Sequence, residues 1–473
     1  MVEIVGRKEE KRVLLEALNS GRPELMVIYG RRRIGKTFLI RKLYKDHLIF
    51  EFTGMYRASL KDQLYNFHSQ IKEKLPSEEV RTKWLDAFKQ LERFIEKNRS
   101  KKKKVIFIDE FPWIDTRRSN FLKAFDYFWN SYGSKQDNLL VVICGSAASY
   151  MVRNIIKSKG GLHNRLTRKI KLLPFTLRET EQLLRSNKVN LSRYEIIQIY
   201  MTMGGVPFYL EKIQVGESVP QLIDRLCFTK DGFLRGEFSN VFASLFDAYE
   251  NHEDVVRVLA KVRKGLTRTD IMTRSKLTSG GRLTRTLEEL EESGFIEKYN
   301  PYSGTNNGLY RLSDEYTLFY IKYIEGTRVS AHIWAKMQNK SSYKIWSGFS
   351  FETICIKHIE QIKKSLNIAG VHSVQGAWYQ REAEGMGAQI DLIIDRDDGV
   401  INLCEMKFYN TKYVLTKKYA HDIAQKTNSF LESVQTNKSI FVTFISSFGL
   451  KANQYQSQYV QNELTLDALF SEL

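Results

Sequence analysis

Gly30-Arg31-Arg32-Arg33-Ile34-Gly35-Lys36-Thr37 follows an apolar run at 25–29 and precedes Phe38-Leu39-Ile40-Arg41-Lys42-Leu43, which reads as a helix. A strand, a glycine-bounded loop ending in Lys-Thr, and a helix form the P-loop arrangement. Its glycines let backbone N–H groups turn inward around phosphate oxygens. The helix that follows points its positive end at the same anion. In such a loop Lys36 reaches the β- and γ-phosphates, and the Thr37 hydroxyl ligates Mg²⁺. The expected ligands are therefore ATP and Mg²⁺. The triplet Arg31-Arg32-Arg33 adds positive charge inside the loop.

Bulk properties bound what surrounds this loop. With 473 residues the chain exceeds one ordinary core, and about two to four domains are expected. Hydrophobic residues make up 42%, which excludes wholesale disorder. Cys144, Cys227, Cys355 and Cys404 lie far apart, with no CxxC or zinc-type spacing. They read as buried thiols in a reducing compartment. The N-terminal residues lack a signal-peptide apolar region, and the most apolar stretch, near 139–151, is too short for a bilayer. A cytoplasmic protein with no membrane partner is expected. The net charge of +19 favours an anionic partner. DNA is the first reading, with ATP as the sole anion the alternative.

Further motifs follow in order. Gly6-Arg7-Lys8-Glu9-Glu10 opens a helix, and 47–52 reads as a second strand. Residues 60–98 form a long amphipathic segment with Leu64, Phe67, Ile71, Leu75, Trp84, Phe88, Leu91 and Ile95 at helical spacing, a core face. Lys101-Lys102-Lys103-Lys104 reads as a solvated loop. Val105-Ile106-Phe107-Ile108-Asp109-Glu110 then reads as a buried parallel strand whose acidic end reaches the ligand crevice. It resembles a Walker B strand. Asp109 would hold Mg²⁺ through water, and Glu110 would orient and deprotonate the attacking water. A third strand at 139–144 ends in Gly145-Ser146, which puts Ser146 beside the γ-phosphate. Downstream, Gly161-Leu162-His163-Asn164-Arg165-Leu166-Thr167-Arg168 offers Arg165, then Arg168, as a charge-stabilising arginine acting in cis or from a neighbouring subunit, against a surface role. Helices at 179–186, 193–202 and 220–226 form a lid around Gly204-Gly205-Val206-Pro207.

Gly-Arg-x-x-Glu, the P-loop, the Asp-Glu strand, the Gly-Ser strand, Leu-Pro-Phe and Gly-Gly-x-Pro stand in that order over about the first 230 residues. This half resembles the prokaryotic "archaeal ATPase" family of AAA+/STAND-like P-loop ATPases. The resemblance implies a sensor role for Ser146 and an approach of Pro207 to the nucleotide from the lid. An arginine supplied by a neighbouring subunit would require a homo-oligomer. The nucleotide-binding set is Gly30, Arg33, Gly35, Lys36, Thr37, Phe38, Ser146 and Pro207.

Residues 254–264, 268–274 and 283–292 read as three helices, with Gly265-Leu266-Thr267 starting the second and Ser279-Gly280-Gly281 turning into the third. Leu283, Leu287 and Leu290 share one face. Two alternating strands, 294–299 and 309–312, flank a Pro/Gly/Asn loop. Three helices and a hairpin make a winged helix-turn-helix. Its third helix offers Arg282 and Arg285 to a major groove, but also Glu288, Glu289, Glu291 and Glu292. DNA binding and a protein-contact role therefore both stay open. The aromatic segment 313–320 reads as packing.

In the C-terminal part a helix starts at Trp346-Ser347-Gly348-Phe349-Ser350-Phe351-Glu352. Segments 389–395 and 400–407 flank Arg396-Asp397-Asp398-Gly399 and form a hairpin. A turn centred on Asp398 sets Asp391 opposite Glu405, and Lys407 shares the face of Glu405. Asp395 becomes a turn residue. Two carboxylates suit Mg²⁺ or Mn²⁺, which lowers the pKa of bound water, and the lysine helps place the nucleophile. A lysine-bearing helix at 416–432 and a final strand at 439–445 follow. Asp391, Glu405 and Lys407 resemble the Asp…Glu-x-Lys motif of the PD-(D/E)XK nuclease fold. Glu352 matches the helical acid that completes its metal site.

The expected fold is α/β: a P-loop core at 1–175, a helical lid at 176–250, a winged helix at 251–330 and a PD-(D/E)XK-like domain at 340–473. The catalytic set is Glu110, Asp391, Glu405, Lys407 and Arg165. The metal ligands are Thr37, Asp109, Glu352, Asp391 and Glu405. The expected function is ATP hydrolysis coupled to metal-dependent action on DNA. The alternative is an ATP-gated switch or DNA-binding regulator whose nuclease fold does not cut.

Overall fold

The computed structural model describes residues 3–116, 118–157, 160, 162, 164–277, 280–302, 308–330, 332–380 and 388–473. The chain forms two compact units, Met1–Pro174 with Leu245–Asp247, and Phe175–Ser244 with Ala248–Leu473.

In the first unit, β1 (Glu24–Tyr29), β2 (Leu48–Thr53), β3 (Lys104–Asp109), β4 (Leu139–Gly145) and β5 (Arg168–Lys171) form one sheet in the order β2-β3-β4-β1-β5. Every neighbouring pair is parallel. Parallel strands are covered on both faces, so they read as unbroken apolar runs. β3 and β4 are buried throughout. Helices Leu60–Lys72, Trp84–Lys97 and Phe121–Ser131 pack Phe67, Phe88 and Phe125 on one face. Helices Lys8–Asn19 and Lys36–Leu43 pack Leu14, Leu39 and Ile40 on the other. The amphipathic stretch 60–98 is thus two helices, and both bury the face expected for it. One part of the lysine run departs from expectation. Lys101 and Lys102 are exposed, but Lys103 and Lys104 are buried. Lys103 Nζ donates to the carbonyls of Ser20 (2.9 Å) and Asp137 (3.0 Å), and Lys104 Nζ to that of Ile95 (3.0 Å). Carbonyl acceptors make their burial tolerable.

The second unit begins with helices Leu177–Ser186, Arg193–Met203 and Val219–Ile223. Helices Tyr249–Ala260, Arg268–Arg274 and Gly280–Glu292 follow, with a small antiparallel sheet of β6 (Leu266–Thr267), β7 (Ile296–Tyr299) and β8 (Leu309–Leu312) in the order β6-β8-β7. Leu283, Leu287 and Leu290 are buried as one face. Leu266 and Thr267 form a strand instead of a first helical turn; the helix starts after Thr267, whose side chain caps it. Ser279 and most of the loop between β7 and β8 lie outside the described residues. The aromatic segment packs inward: Tyr316 meets Tyr209, and Phe319 meets Trp334 and Trp346 edge-on.

Helix Ser341–Lys357 starts five residues earlier than the sequence suggests and breaks at His358 before Ile359–Ser365. The last sheet comprises β9 (Ser373–Tyr379), β10 (Gln389–Arg396), β11 (Val400–Lys407), β12 (Ser439–Ser446) and β13 (Asn462–Thr465), in the order β13-β12-β11-β10-β9. Pairs β9–β10 and β10–β11 are antiparallel, whereas β11–β12 and β12–β13 are parallel. Helix Lys417–Val434 crosses between the parallel strands β11 and β12. β13 follows β12, so 439–445 is not the last strand.

Candidate functional site

In the first unit, the geometry of the phosphate loop begins with its glycines. Gly30 has φ 147°, and a Cβ there would lie 2.3 Å from the Leu172 carbonyl oxygen. Gly35 has φ 88° and leads into helix Lys36–Leu43. Arg33 also adopts positive φ, 70°. The buried Lys36 turns back into the loop, donating to the carbonyls of Gly30 and Arg31 at 2.8 Å each. The Thr37 hydroxyl donates to Asp109 Oδ2 at 2.7 Å. Phe38 is half exposed.

Sheet order explains the remaining partners. β4 lies between β1 and β3. Ser146, just past its end, therefore stands between the loop and the acids. Its hydroxyl donates to Glu110 Oε1 at 2.6 Å and accepts from Lys36 Nζ at 3.3 Å. Its N–H donates to Glu110 Oε2 at 3.2 Å. Glu110 itself sits at φ 46°, in the left-handed region between β3 and helix Phe111–Ile114. Lys36, Thr37, Asp109, Glu110 and Ser146 thus form one hydrogen-bonded group. Arg7 braces it from outside, its Nη2 donating to the Ile34 carbonyl at 3.3 Å. The sequence placed Arg7 within a motif but gave it no contact.

Arg165 is exposed. Arg168 is tied to Glu16 at 3.0 Å and Glu24 at 3.7 Å. Gly161 and His163 lie outside the described residues. Pro207 belongs to the second unit, where it starts helix Pro207–Leu210.

The second candidate site lies on the C-terminal sheet. β10 and β11 pair with Leu392 opposite Cys404 and Asp395 opposite Ile401. Continuing that register puts Asp391 opposite Glu405. Asp395 is a strand residue and not a turn residue: it accepts from the Tyr302 hydroxyl at 2.7 Å and Lys438 Nζ at 2.6 Å. Glu405 accepts from Lys426 Nζ at 2.9 Å and from the Tyr419 hydroxyl, and lies 3.5 Å from Lys407 Nζ. Tyr419 and Lys426 sit seven residues apart, two turns along one face of helix Lys417–Val434. The sequence reading saw a lysine-bearing helix there without choosing these two. Their spacing was the available signal.

The electrostatics bind these groups together. Burial pushes the Glu352 carboxyl up to about 8, with Asp391 and Glu405 adding to the rise while Lys407 and Arg263 oppose it. Burial works the same way on Glu405, but Lys407, Lys426 and the Tyr419 hydrogen bond outweigh it and hold that carboxyl below its ordinary value. Glu352, Asp391, Glu405 and Lys407 therefore share one electrostatic neighbourhood. Among the described residues, no group of three or more His, Cys, Asp or Glu side chains stands ready to hold a metal ion. His358, buried, accepts from the Leu177 N–H at 3.1 Å and donates to the Ile354 carbonyl at 2.8 Å, a structural role.

Residues 4–213 match a family described as an ATPase domain predominantly from Archaea. The chain is 27% identical over 432 residues to an uncharacterized protein of Methanocaldococcus jannaschii, spanning 89% of this chain and 91% of that one. Over 49 residues it is 43% identical to an uncharacterized ATP-binding protein of the same organism, covering 10% of this chain and 83% of that protein. The solved Walker-type ATPase of Pyrococcus abyssi is 18% identical, with a TM-score of 0.49, and the match covers 67% of this chain and 96% of that one. Residues 4–213 are thus similar to this archaeal ATPase family, and the loop Gly30–Thr37 between β1 and its helix has the P-loop arrangement. Among the described residues no helix is long and apolar enough to cross a membrane.

Proposed function

We propose that this chain hydrolyses ATP at its P-loop and acts on DNA through a metal-dependent, nuclease-like site in its C-terminal part. One observation carries the second half of this reading. A helical acid, two carboxylates across a hairpin and a lysine two residues on, namely Glu352, Asp391, Glu405 and Lys407, fall within one electrostatic neighbourhood. The order helix, three antiparallel strands, crossover helix and parallel strand supports the PD-(D/E)XK assignment. The three-helix module with its small sheet supports the winged-helix assignment, and the +19 charge supports DNA as partner.

At the P-loop, Lys36 would leave the Gly30 and Arg31 carbonyls for the β- and γ-phosphates. Arg33 and Phe38 would line the nucleotide. Glu110, released from Ser146, would orient and deprotonate the attacking water. Ser146 would then sense the γ-phosphate. The Thr37 hydroxyl and Asp109 carboxylate, 2.7 Å apart, are the hard-oxygen pair that suits Mg²⁺. Bound there, Mg²⁺ would neutralise phosphate charge. The exposed Arg165 would act from a neighbouring copy in a homo-oligomer.

In the C-terminal site, Glu352, Asp391 and Glu405 would have to draw together to supply the oxygen donors that suit Mg²⁺ or Mn²⁺. Such an ion would lower the pKa of its bound water. Lys407 would hold the nucleophile in place. A second reading, a DNA-binding switch that does not cut, is favoured by one contact set: Glu405 is already engaged by Lys426 and Tyr419.

The test incubates the purified protein with ATP and with plasmid or linear DNA in Mg²⁺ or Mn²⁺. Wild type should hydrolyse ATP and cut DNA. Lys36→Ala should lose ATP turnover, and Glu405→Ala should lose cutting. Equal cutting by wild type and Glu405→Ala, or none by either, selects the switch reading.

A further inference from the structure

The turn 262–265 lies between helix Tyr249–Ala260 and β6, in the small three-helix module. From it, Arg263 reaches over to helix Ser341–Lys357. Its guanidinium carbon stands 3.9 Å from the centroid of the Phe349 ring, and its Nη2 donates to the Ile345 carbonyl at 3.2 Å. Positions 345, 349 and 352 advance by four and three residues, so they share one helix face. Arg263 therefore lies along the face that carries Glu352.

The turn is fastened there. The Tyr299 hydroxyl donates to the Lys264 carbonyl and stands 3.1 Å from the Tyr379 hydroxyl on β9. Pro301 bridges Ala377, the Tyr302 N–H donates to the Ala377 carbonyl at 2.8 Å, and Tyr302 bonds Asp395. These contacts cover the outer edge of β9, which would otherwise offer unpaired backbone. The module is thus seated on the same sheet that carries Asp391 and Glu405.

Several arginines near Arg263 are already committed to carboxylates. Arg257, Arg285 and Arg311 are each paired with a glutamate. Among the described residues Arg263 makes no carboxylate ion pair, and it is exposed. Held over the ring and by Nη2 on the Ile345 carbonyl, the guanidinium keeps its remaining N–H groups for an anionic oxygen. Arg263 is among the cations whose charge acts on the Glu352 carboxyl.

We propose that Arg263 is a phosphate-binding residue of the C-terminal site, supplied by the three-helix module and aimed at a nucleic-acid backbone lying across Glu352, Asp391 and Glu405. This rests on reading those residues as a nuclease-like site. The module then acts as a wall of that site.

The experiment measures binding of a fluorescein-labelled DNA duplex to the full chain by anisotropy over a salt titration, without divalent metal. Cleavage of unlabelled plasmid with Mg²⁺ is followed in parallel. Arg263→Ala should weaken binding several-fold and lower the salt slope by about one, as for one lost phosphate contact. Arg263→Lys should keep the slope, which also guards against a folding defect in the alanine variant. Unchanged affinity and slope in Arg263→Ala overturns the proposal, even if wild type cuts DNA and Glu405→Gln does not. A lowered slope in Arg263→Ala supports it, even if wild type fails to cut, and in that case only the nuclease reading falls.

Discussion

His358 illustrates how much one buried side chain can fix. Its ring accepts from Leu177 on one nitrogen and donates to Ile354 from the other, so it must be neutral. Burial lowers it from 6.5 to about 4. The unfolded chain takes up the proton below about 6.5, whereas the folded chain does not until about 4. Stability from this residue is therefore full above 6.5 and is lost as pH falls towards 4. Up to about 3 kcal/mol is at stake. Chemical denaturation across that range should show a weaker pH dependence in His358→Gln than in wild type. An identical dependence would show that His358 does not titrate as described. Nothing in the sequence points from His358 to this partner, because Leu177 is 181 positions away. Lys103 and Lys104 carry the same lesson. A run of four lysines looks solvated until the backbone carbonyls of Ser20, Asp137 and Ile95 come to meet two of them.

At the scale of elements, the Gly204-Gly205 turn shows why particular glycines are required. Gly205 accepts from the Phe175 N–H at 2.6 Å, and a Cβ on it would sit 1.9 Å from the Phe175 carbonyl oxygen. Backbone on both sides leaves no side chain free to yield. Gly205→Ala should destabilise the protein by about 2 kcal/mol or more. A thermal melt checks this, and a variant melting with wild type would contradict the close approach. The Gly-Gly-x-Pro pattern was legible in the sequence, but its packing against Phe175 was not. The hairpin β10–β11 was legible in another way. Its turn residues and alternating pattern set a register that the structure keeps, with Leu392 facing Cys404. Strands β6 and β13 were not legible. Two to four residues without a strong apolar pattern become strands only because a paired neighbour supplies the hydrogen bonds.

For the whole molecule, the second compact unit gathers segments that lie in several of the expected domains. Residues 175–244 assemble with 248–473. The contacts are specific: Tyr316 donates to the Leu234 carbonyl at 2.6 Å, Trp334 N–H donates to Asp224 at 2.8 Å, and Tyr209 meets Tyr316 at 5.5 Å. A fragment spanning 175–473 should melt cooperatively by circular dichroism. One spanning 251–473, stripped of the helices that cover its aromatic residues, should aggregate or melt without cooperativity. Equal behaviour of the two fragments would remove the case for a shared core.

The sequence alone determined the phosphate loop, the buried strand ending in Asp109-Glu110, and the spacing of Asp391, Glu405 and Lys407. Each of these depends on local chemistry: glycines that permit positive φ, an unbroken apolar run, and the two-residue period of a strand. Only the tertiary structure decided that Ser146 stands between Lys36 and Glu110, that Lys426 and Tyr419 hold Glu405, and that Arg263 lies along the Glu352 helix. The reason is physical. Strand order and the docking of distant elements are set by burying apolar surface over the whole chain, and no local pattern encodes which remote side chain that burial brings alongside.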